Sequence, residues 1–328
     1  MQAKLAGEFA LIEKYFAPLA KGFAGAVNLE DDACTYLPPA GKELVITADA
    51  LVENRHYLSS DPPDCIAKKM LRVNLSDLAA KGARPVGYLM TTAFGPDIDE
   101  AWVAKFASGL AEDQALFGIS LMGGDTVATP GPTTLSVTAI GTAPIGKALR
   151  RGGAQPGDRL FVTGTIGDGL LGLRVLQGAL VGLEAGHARF LTGRNQVPQP
   201  RTDTGPALLE TGIVHAAMDI SDGLVADAGH IAEASHCGLV IRADRVPLSP
   251  AASEVLAADL DLLESLLTGG DDYEILFTAR DAAPLQEVAR KTGVPITEIG
   301  EVVTGSGVSV VDRDGAVLPL KQTGFQHF

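Results

Sequence analysis

A chain of 328 residues is longer than one hydrophobic core normally organises, so two domains are expected. An apolar fraction of 46%, only 20% charged residues and 38 dispersed glycines exclude a fibrous or largely disordered chain and fit a loop-rich α/β enzyme. The net charge of −14, with no basic run, argues against nucleic acid as a partner, and the acidic surplus suits metal binding or plain solubility.

In chain order, Phe9, Ile12, Phe16 and Leu19 recur at helical spacing, interrupted by Glu8, Glu13 and Lys14; this is an amphipathic helix rather than a targeting segment. Glu43–Thr47 is a short apolar run expected to form a buried strand ending at Ala48-Asp49, which places a carboxylate at a strand terminus. Ile66, Met70, Val73 and Leu78 carry a helical period, with Gly82 as a stop and Pro85 beyond it, so Asn74, Asp77 and Lys81 share one face. A second helix is expected over 101–117, and then a strand, Ile119–Met122, running into a turn at Gly123-Gly124-Asp125. Leu135–Ile140 alternates as a half-buried strand. The Gly-, Arg- and Pro-rich stretch from Pro144 to Asp158 is the expected boundary, giving domains over 1–146 and 147–328.

The second half opens with a strand at Arg159–Val162, a glycine-rich turn at Thr163–Gly169 and a helix with Leu170, Leu173 and Leu176 on one side. Gly193–Pro206 reads as a loop. Ala217–Leu224 is a strand-to-helix junction, with Leu224, Ala228 and Ile231 setting the period of the helix that follows. A last acidic turn, Gly269–Glu274, precedes the apolar Ile275–Phe277. Gly-Gly-Asp occurs in both halves, a hint of duplicated architecture. No uncharged apolar run reaches membrane-spanning length, and three scattered cysteines, Cys34, Cys65 and Cys237, suit a reducing cytoplasm.

The usual nucleotide signatures are absent: there is no P-loop, no dinucleotide fingerprint and no protein-kinase catalytic loop. Instead Asp31, Asp32, Asp49, Asp77, Asp125, Asp219 and Asp222 stand mostly beside Gly, Ser or Thr. Each alone is most simply a cap or turn former. Together they are hard oxygen donors of the kind that hold magnesium against phosphates, although spacing alone does not bring them to one place.

Eight segments carry a resemblance: Gly7–Phe9; Asp31–Ala33; Thr47–Val52 with His56; Val73–Ala80; Gly123–Thr126; Pro156–Asp158 with Val162–Gly164; Asp219–Leu224; and Gly269–Glu274. In order and over nearly the whole length, the chain resembles the thiamine-monophosphate kinases, within the aminoimidazole-ribotide synthetase-like superfamily. The resemblance implies a two-domain α/β and α+β fold. Its N-terminal α/β domain contributes strands to a β-barrel shared by a homodimer, and its C-terminal α+β domain closes a substrate cleft. It implies ATP and thiamine monophosphate as substrates and several magnesium ions as cofactors. By position, Asp32, Thr47, Asp49, Asp77, Asp125, Asp219 and Asp222 are the implied metal ligands. Gly124, Asp125, Arg151 and Ser221 are the implied ATP contacts, and His56, Asp271 and Phe325 the implied acceptor site.

The chain departs from the family pattern at Glu30, at Ala48 before the strand Asp, at Val127 and Ala128 where Thr-Arg is often seen, and at Asp271 where Glu is frequent. No Cys, Ser or His stands in a triad-like setting, and an acceptor that already carries an oxyanion requires no protein nucleophile, so direct in-line transfer is expected. The rival readings are another ATP-dependent enzyme of the superfamily, of the aminoimidazole-ribotide or selenophosphate synthetase type, and a catalytically inactive nucleotide-binding scaffold.

Overall fold

The computed structural model describes residues 7–322 and 324, and Phe325 lies outside them. The chain separates into two compact units. The N-terminal one runs to Leu78 and resumes over Ala83–Gly146; the C-terminal one combines Ala79–Gly82 with the chain from Lys147 onward.

In the N-terminal unit, helices α1 (Glu8–Leu11) and α2 (Ala17–Ala20) are separated by a π-helical turn over Ile12–Phe16. Pro18 has no N–H to offer the Lys14 carbonyl, and the Ala17 N–H bonds five residues back, to Ile12. The wider turn shifts the expected apolar stripe: Leu11, Phe16 and Leu19 are buried, whereas Phe9 is 83% exposed.

Strands β1 (Lys42–Val52), β2 (Arg84–Phe94), β3 (Ser120–Ala128) and β4 (Thr134–Pro144) form one open sheet in the order β1-β4-β2-β3. Only β2 and β3 are parallel, joined through α4 (Glu100–Phe117) as a parallel pair requires. Asp99 caps α4 by accepting the Trp102 N–H at 2.8 Å, and Gly118, at φ 65°, ends it. Alternate residues of β4, Leu135, Val137 and Ala139, are fully buried, as expected. Helix α3 (Pro63–Ala80) buries Ile66, Met70, Leu75 and Leu78. It is tied to α4 by a bidentate pair, with Arg72 Nε and Nη2 donating to Asp113 at 2.7 and 2.8 Å.

Two sequence expectations are corrected here. Asp49 is not at a strand terminus, because β1 runs on to Val52, paired along its whole length with β4. Gly123-Gly124-Asp125 is not a turn but the middle of β3, which stays parallel to β2 through Ala128 after a bulge that leaves Met122 unpaired. The expected barrel is not closed in one chain, where β1 and β3 are open edges.

The C-terminal unit holds a six-stranded sheet of β5 (Arg159–Thr163), β6 (Val214–Asp219), β7 (Gly238–Arg242), β8 (Ile275–Ala279), β9 (Ile296–Val303) and β10 (Gly307–Val311). The order is β10-β7-β9-β5-β8-β6, parallel only between β10 and β7. Both sheet faces are covered. Leu160, Val162 and Met218 pack with Leu224, Ala228 and Ile231 of α8 (Leu224–Ser235). Phe161 and Phe277 pack with Leu208 of α7 (Thr204–Thr211) and with Leu285 and Val288 of a later helix, Ala283–Thr292. A third cluster joins α5 (Asp168–Leu176) and α6 (Ala185–Gln196) to a helix over Pro250–Ala258. The loop expected over Gly193–Pro206 is confined to 197–203, because α6 continues to Gln196 and α7 starts at Thr204. Arg194 and Asn195 are buried on α6 against partners far away in sequence, which apolar periodicity does not register.

Candidate functional site

A cavity of about 520 Å³ opens in the N-terminal unit, within the size range of small-molecule sites. Its wall is apolar at Ile12, Phe16, Leu29 and Met122, and Asp31, Asp32, Gly124 and Asp125 bring polar groups to it. Gly124 is required: at φ 154° a Cβ there would lie 1.8 Å from the Met90 carbonyl oxygen. Thus β3 brings Gly124 and Asp125 to the same cavity as the Asp31-Asp32 loop. That loop follows Val27, Asn28 and Leu29, all left-handed at φ 48°, 56° and 63°, a run of strain that the surrounding fold must hold in place.

A second group lies where β1 meets α3. The Thr47 hydroxyl donates to Asp77 at 2.5 Å. The Asp49 N–H donates at 3.1 Å to the Asn74 side-chain oxygen, which is held by a 2.9 Å bond from its own amide to the Met70 carbonyl. Thr47, Asp49 and Asp77 are therefore neighbours, but Asp49 and Gly124 stand in one row across opposite edges of the sheet, through Val137 and Met90. Three strand spacings put them about 14 Å apart. His56 folds back on β1, its Nδ1 accepting the Val52 N–H at 2.9 Å, which leaves the ring proton of the neutral imidazole on Nε2.

In the C-terminal unit, Asp219 ends β6, and Ser221 and Asp222 form the turn into α8. One oxygen of Asp227 organises that turn, accepting the N–H groups of Ser221, Asp222 and Gly223 at 3.0–3.1 Å. Burial, and after it the Asp222 charge, pushes the Asp227 carboxyl up to about 7. Asp222, Asp227 and His230 bring ligand atoms within 4.8 Å of one another. Among the described Asp, Glu, His and Cys residues, Asp222 is the predicted ligand that belongs to a group of three at that range. Sequence reading missed Asp227 and His230; an acid in the first turn of a helix, with a His three residues on, was the available signal.

The Gly269–Glu274 turn packs directly on this junction. Asp271 N–H donates to Ser221 O at 2.9 Å and Tyr273 N–H to Ile220 O at 2.8 Å. A Cβ on Gly270 would meet Ser221 O at 2.2 Å, and one on Gly223 would meet Thr268 O at 2.5 Å, so both glycines are needed for the approach. Asp219, Ser221, Asp222 and Asp271 are thereby brought together, whereas Arg151 sits exposed on its own loop. The glycine-rich turn 163–169 is no anion cradle: Gly167 and Gly169 N–H donate to the buried Asp272 at 2.8 and 3.1 Å, Gly164 N–H to Pro295 O and Ile166 N–H to Pro247 O. The carboxyl group of Asp272 thus takes up N–H groups that an anion at this turn would need.

Residues 30–143 and 155–313 match the N-terminal and C-terminal domains of the AIR synthase related proteins, which defines the class of this chain. A thiamine-monophosphate kinase of Caulobacter vibrioides is 44% identical over 321 residues, covering 96% of this chain and 89% of the relative. The solved thiamine-monophosphate kinase of Stenotrophomonas maltophilia K279a superposes with a TM-score of 0.80 at 40% identity, over 88% of this chain and 91% of that one. AaThiL complexed with AMPPCP and TMP superposes with a TM-score of 0.79 at 30% identity, over 100% and 99%. The chain belongs to the thiamine-monophosphate kinase family, as its motifs led us to expect.

Proposed function

We infer that this chain is a thiamine-monophosphate kinase that transfers the γ-phosphoryl group of ATP to the phosphate of thiamine monophosphate, giving thiamine diphosphate and ADP. The observation that carries this reading is the part-apolar cavity whose polar groups include the carboxylates of Asp31, Asp32 and Asp125 beside the bare backbone of Gly124, in a chain homologous along nearly its full length to named kinases of this acceptor. The substrates of the AaThiL complex, as AMPPCP and TMP, are the pair this chemistry requires.

An acceptor phosphate oxygen attacks the γ-phosphorus, the bond from that phosphorus to the β,γ-bridging oxygen breaks, and ADP leaves with the electron pair. The acceptor is already anionic, so no general base or covalent enzyme intermediate is needed, and the protein's task is alignment and charge. The donor set fits magnesium, being made of hard carboxylate and hydroxyl oxygens: Asp32, Thr47, Asp49, Asp77 and Asp125 in the N-terminal unit, Asp219 and Asp222 in the C-terminal unit. Magnesium bound there supplies neutralisation of phosphate charge. Gly124, Asp125, Arg151 and Ser221 are read as ATP contacts, with the Arg151 guanidinium suited to phosphate. His56, Asp271 and Phe325 are read as the acceptor site. A homodimer is supported by the open edges of β1 and β3 and by exposed apolar side chains, Leu44 and Ile46, on β1. The three free thiols fit a cytoplasmic setting, and among the described residues no helix is long and apolar enough to cross a membrane.

A coupled ADP-release assay tests the reading. ADP should form only when ATP, thiamine monophosphate and a divalent ion are all present, and equally fast release with thiamine would overturn the acceptor assignment. Asp49→Asn and Asp222→Asn should each lower turnover about 100-fold or more, by loss of transition-state charge stabilisation, with melting temperatures near that of the parent.

A further inference from the structure

We propose that Asn195 and Tyr273 are positioning residues that fix the Asp271 carboxylate in one orientation and so set the affinity for the cationic part of the acceptor. This rests on the reading of Asp271 as an acceptor contact. Asn195, buried on α6, donates from Nδ2 to one Asp271 oxygen at 3.2 Å and to the Gly169 carbonyl at 3.0 Å. The Tyr273 hydroxyl, on a residue only 8% exposed, donates to the other Asp271 oxygen at 3.0 Å. Each carboxylate oxygen is thus met by a neutral donor, which orients the group.

The turn that presents Asp271 is locked from both sides. Asp271 and Tyr273 are both left-handed, at φ 72° and 54°, a conformation non-glycine residues hold only when their surroundings impose it. Asp272 between them is anchored by the Gly167 and Gly169 N–H groups. Behind them Glu274 is gripped by Arg194 at 2.9 Å, by the Arg201 Nε at 2.6 Å and by the Thr163 hydroxyl at 2.7 Å. With the backbone held, the freedom left to Asp271 is rotation of its short side chain, and Asn195 and Tyr273 remove it. Where the family often has the longer Glu, this chain has a shorter arm with both ends of its carboxylate fixed.

Steady-state kinetics on Tyr273→Phe and Asn195→Leu, in the parent and in an Asp271→Ala background, test this. In the parent background each change should raise KM for thiamine monophosphate about 3- to 10-fold, the range of one net hydrogen bond, and leave KM for ATP within about twofold. In the Asp271→Ala background neither should raise it further, because the group they position is gone. Equal effects in both backgrounds, or none in the parent, would overturn the proposal, since a merely structural role does not depend on the Asp271 carboxylate. Thermal melts identify folded variants, and if Asn195→Leu does not fold, Tyr273→Phe decides alone. Absence of acceptor-dependent ADP release from the parent protein would overturn the kinase reading itself, and the proposal with it.

Discussion

At Asp272 the chain buries a carboxyl completely and meets it with peptide N–H groups from Gly167 and Gly169. Burial pushes its pKa up to about 8, against the lowering effect of those two bonds and of Arg194. A raised folded-state value means that the folded protein binds a proton the unfolded chain releases above about 4. The contribution to stability is therefore complete at low pH and is lost as pH rises from about 4 through about 8. Asp227, pushed up to about 7, acts with the same sign. The expected outcome is a melting temperature that falls from pH 5 to pH 9, with a shallower fall in Asp272→Asn, which cannot ionise. Thermal melts across that range check it, and an equally steep fall in the variant would assign the slope to other groups.

At the scale of the element, β3 shows how one backbone position governs a site. Gly124 lies against β2 so closely that a methyl group would strike the Met90 carbonyl, and its φ of 154° is one that L side chains rarely adopt. Gly123, one residue earlier, has the ordinary sign of φ, and an added Cβ there would meet only the flexible end of Leu89, at 3.3 Å. Gly124→Ala should cost about 3 kcal/mol or more, through strain and a displaced β2–β3 pairing. Gly123→Ala should cost less than about 1 kcal/mol, because a side-chain tip can shift aside. Urea unfolding of the two variants provides the comparison, and similar costs would mean that β3 relaxes freely around Gly124.

For the molecule as a whole, the open N-terminal sheet is the feature on which the proposed dimer rests. Ile46 is 59% exposed and Leu44 42% exposed on an edge strand of 11 residues, a surface that isolated chains normally cover or charge. The row from Asp49 to Gly124 spans the full width of that sheet, so one copy holds the two acidic groups at opposite edges. A second copy is the expected cover. Light scattering should give a two-chain mass at micromolar concentration, and Ile46→Lys should shift it toward one chain by burying a charge in the pairing surface. A parent protein of one-chain mass throughout would count against the dimer.

The order of the motifs along the chain was enough to give the family and to nominate candidate donors, because Asp beside Gly, Ser and Thr is a pattern that survives without any knowledge of contacts. The sequence by itself also determined the helices of strongest period, as at Ile66–Leu78 and Leu224–Ile231, where core burial repeats every turn. Tertiary structure decided the rest. Asp49 and Gly124 fell inside strands rather than at their ends, because strand length is set by the neighbours available for pairing. Asn195, Asp227 and Tyr273 entered the site through hydrogen bonds, whose partners are chosen by folding and leave no periodic trace. The glycine-rich turn at 163–169 is the sharpest instance: its composition leaves the partners of its N–H groups open, and only the fold, by delivering Asp272 from more than a hundred residues away, decided that two of them meet the protein's own carboxyl group.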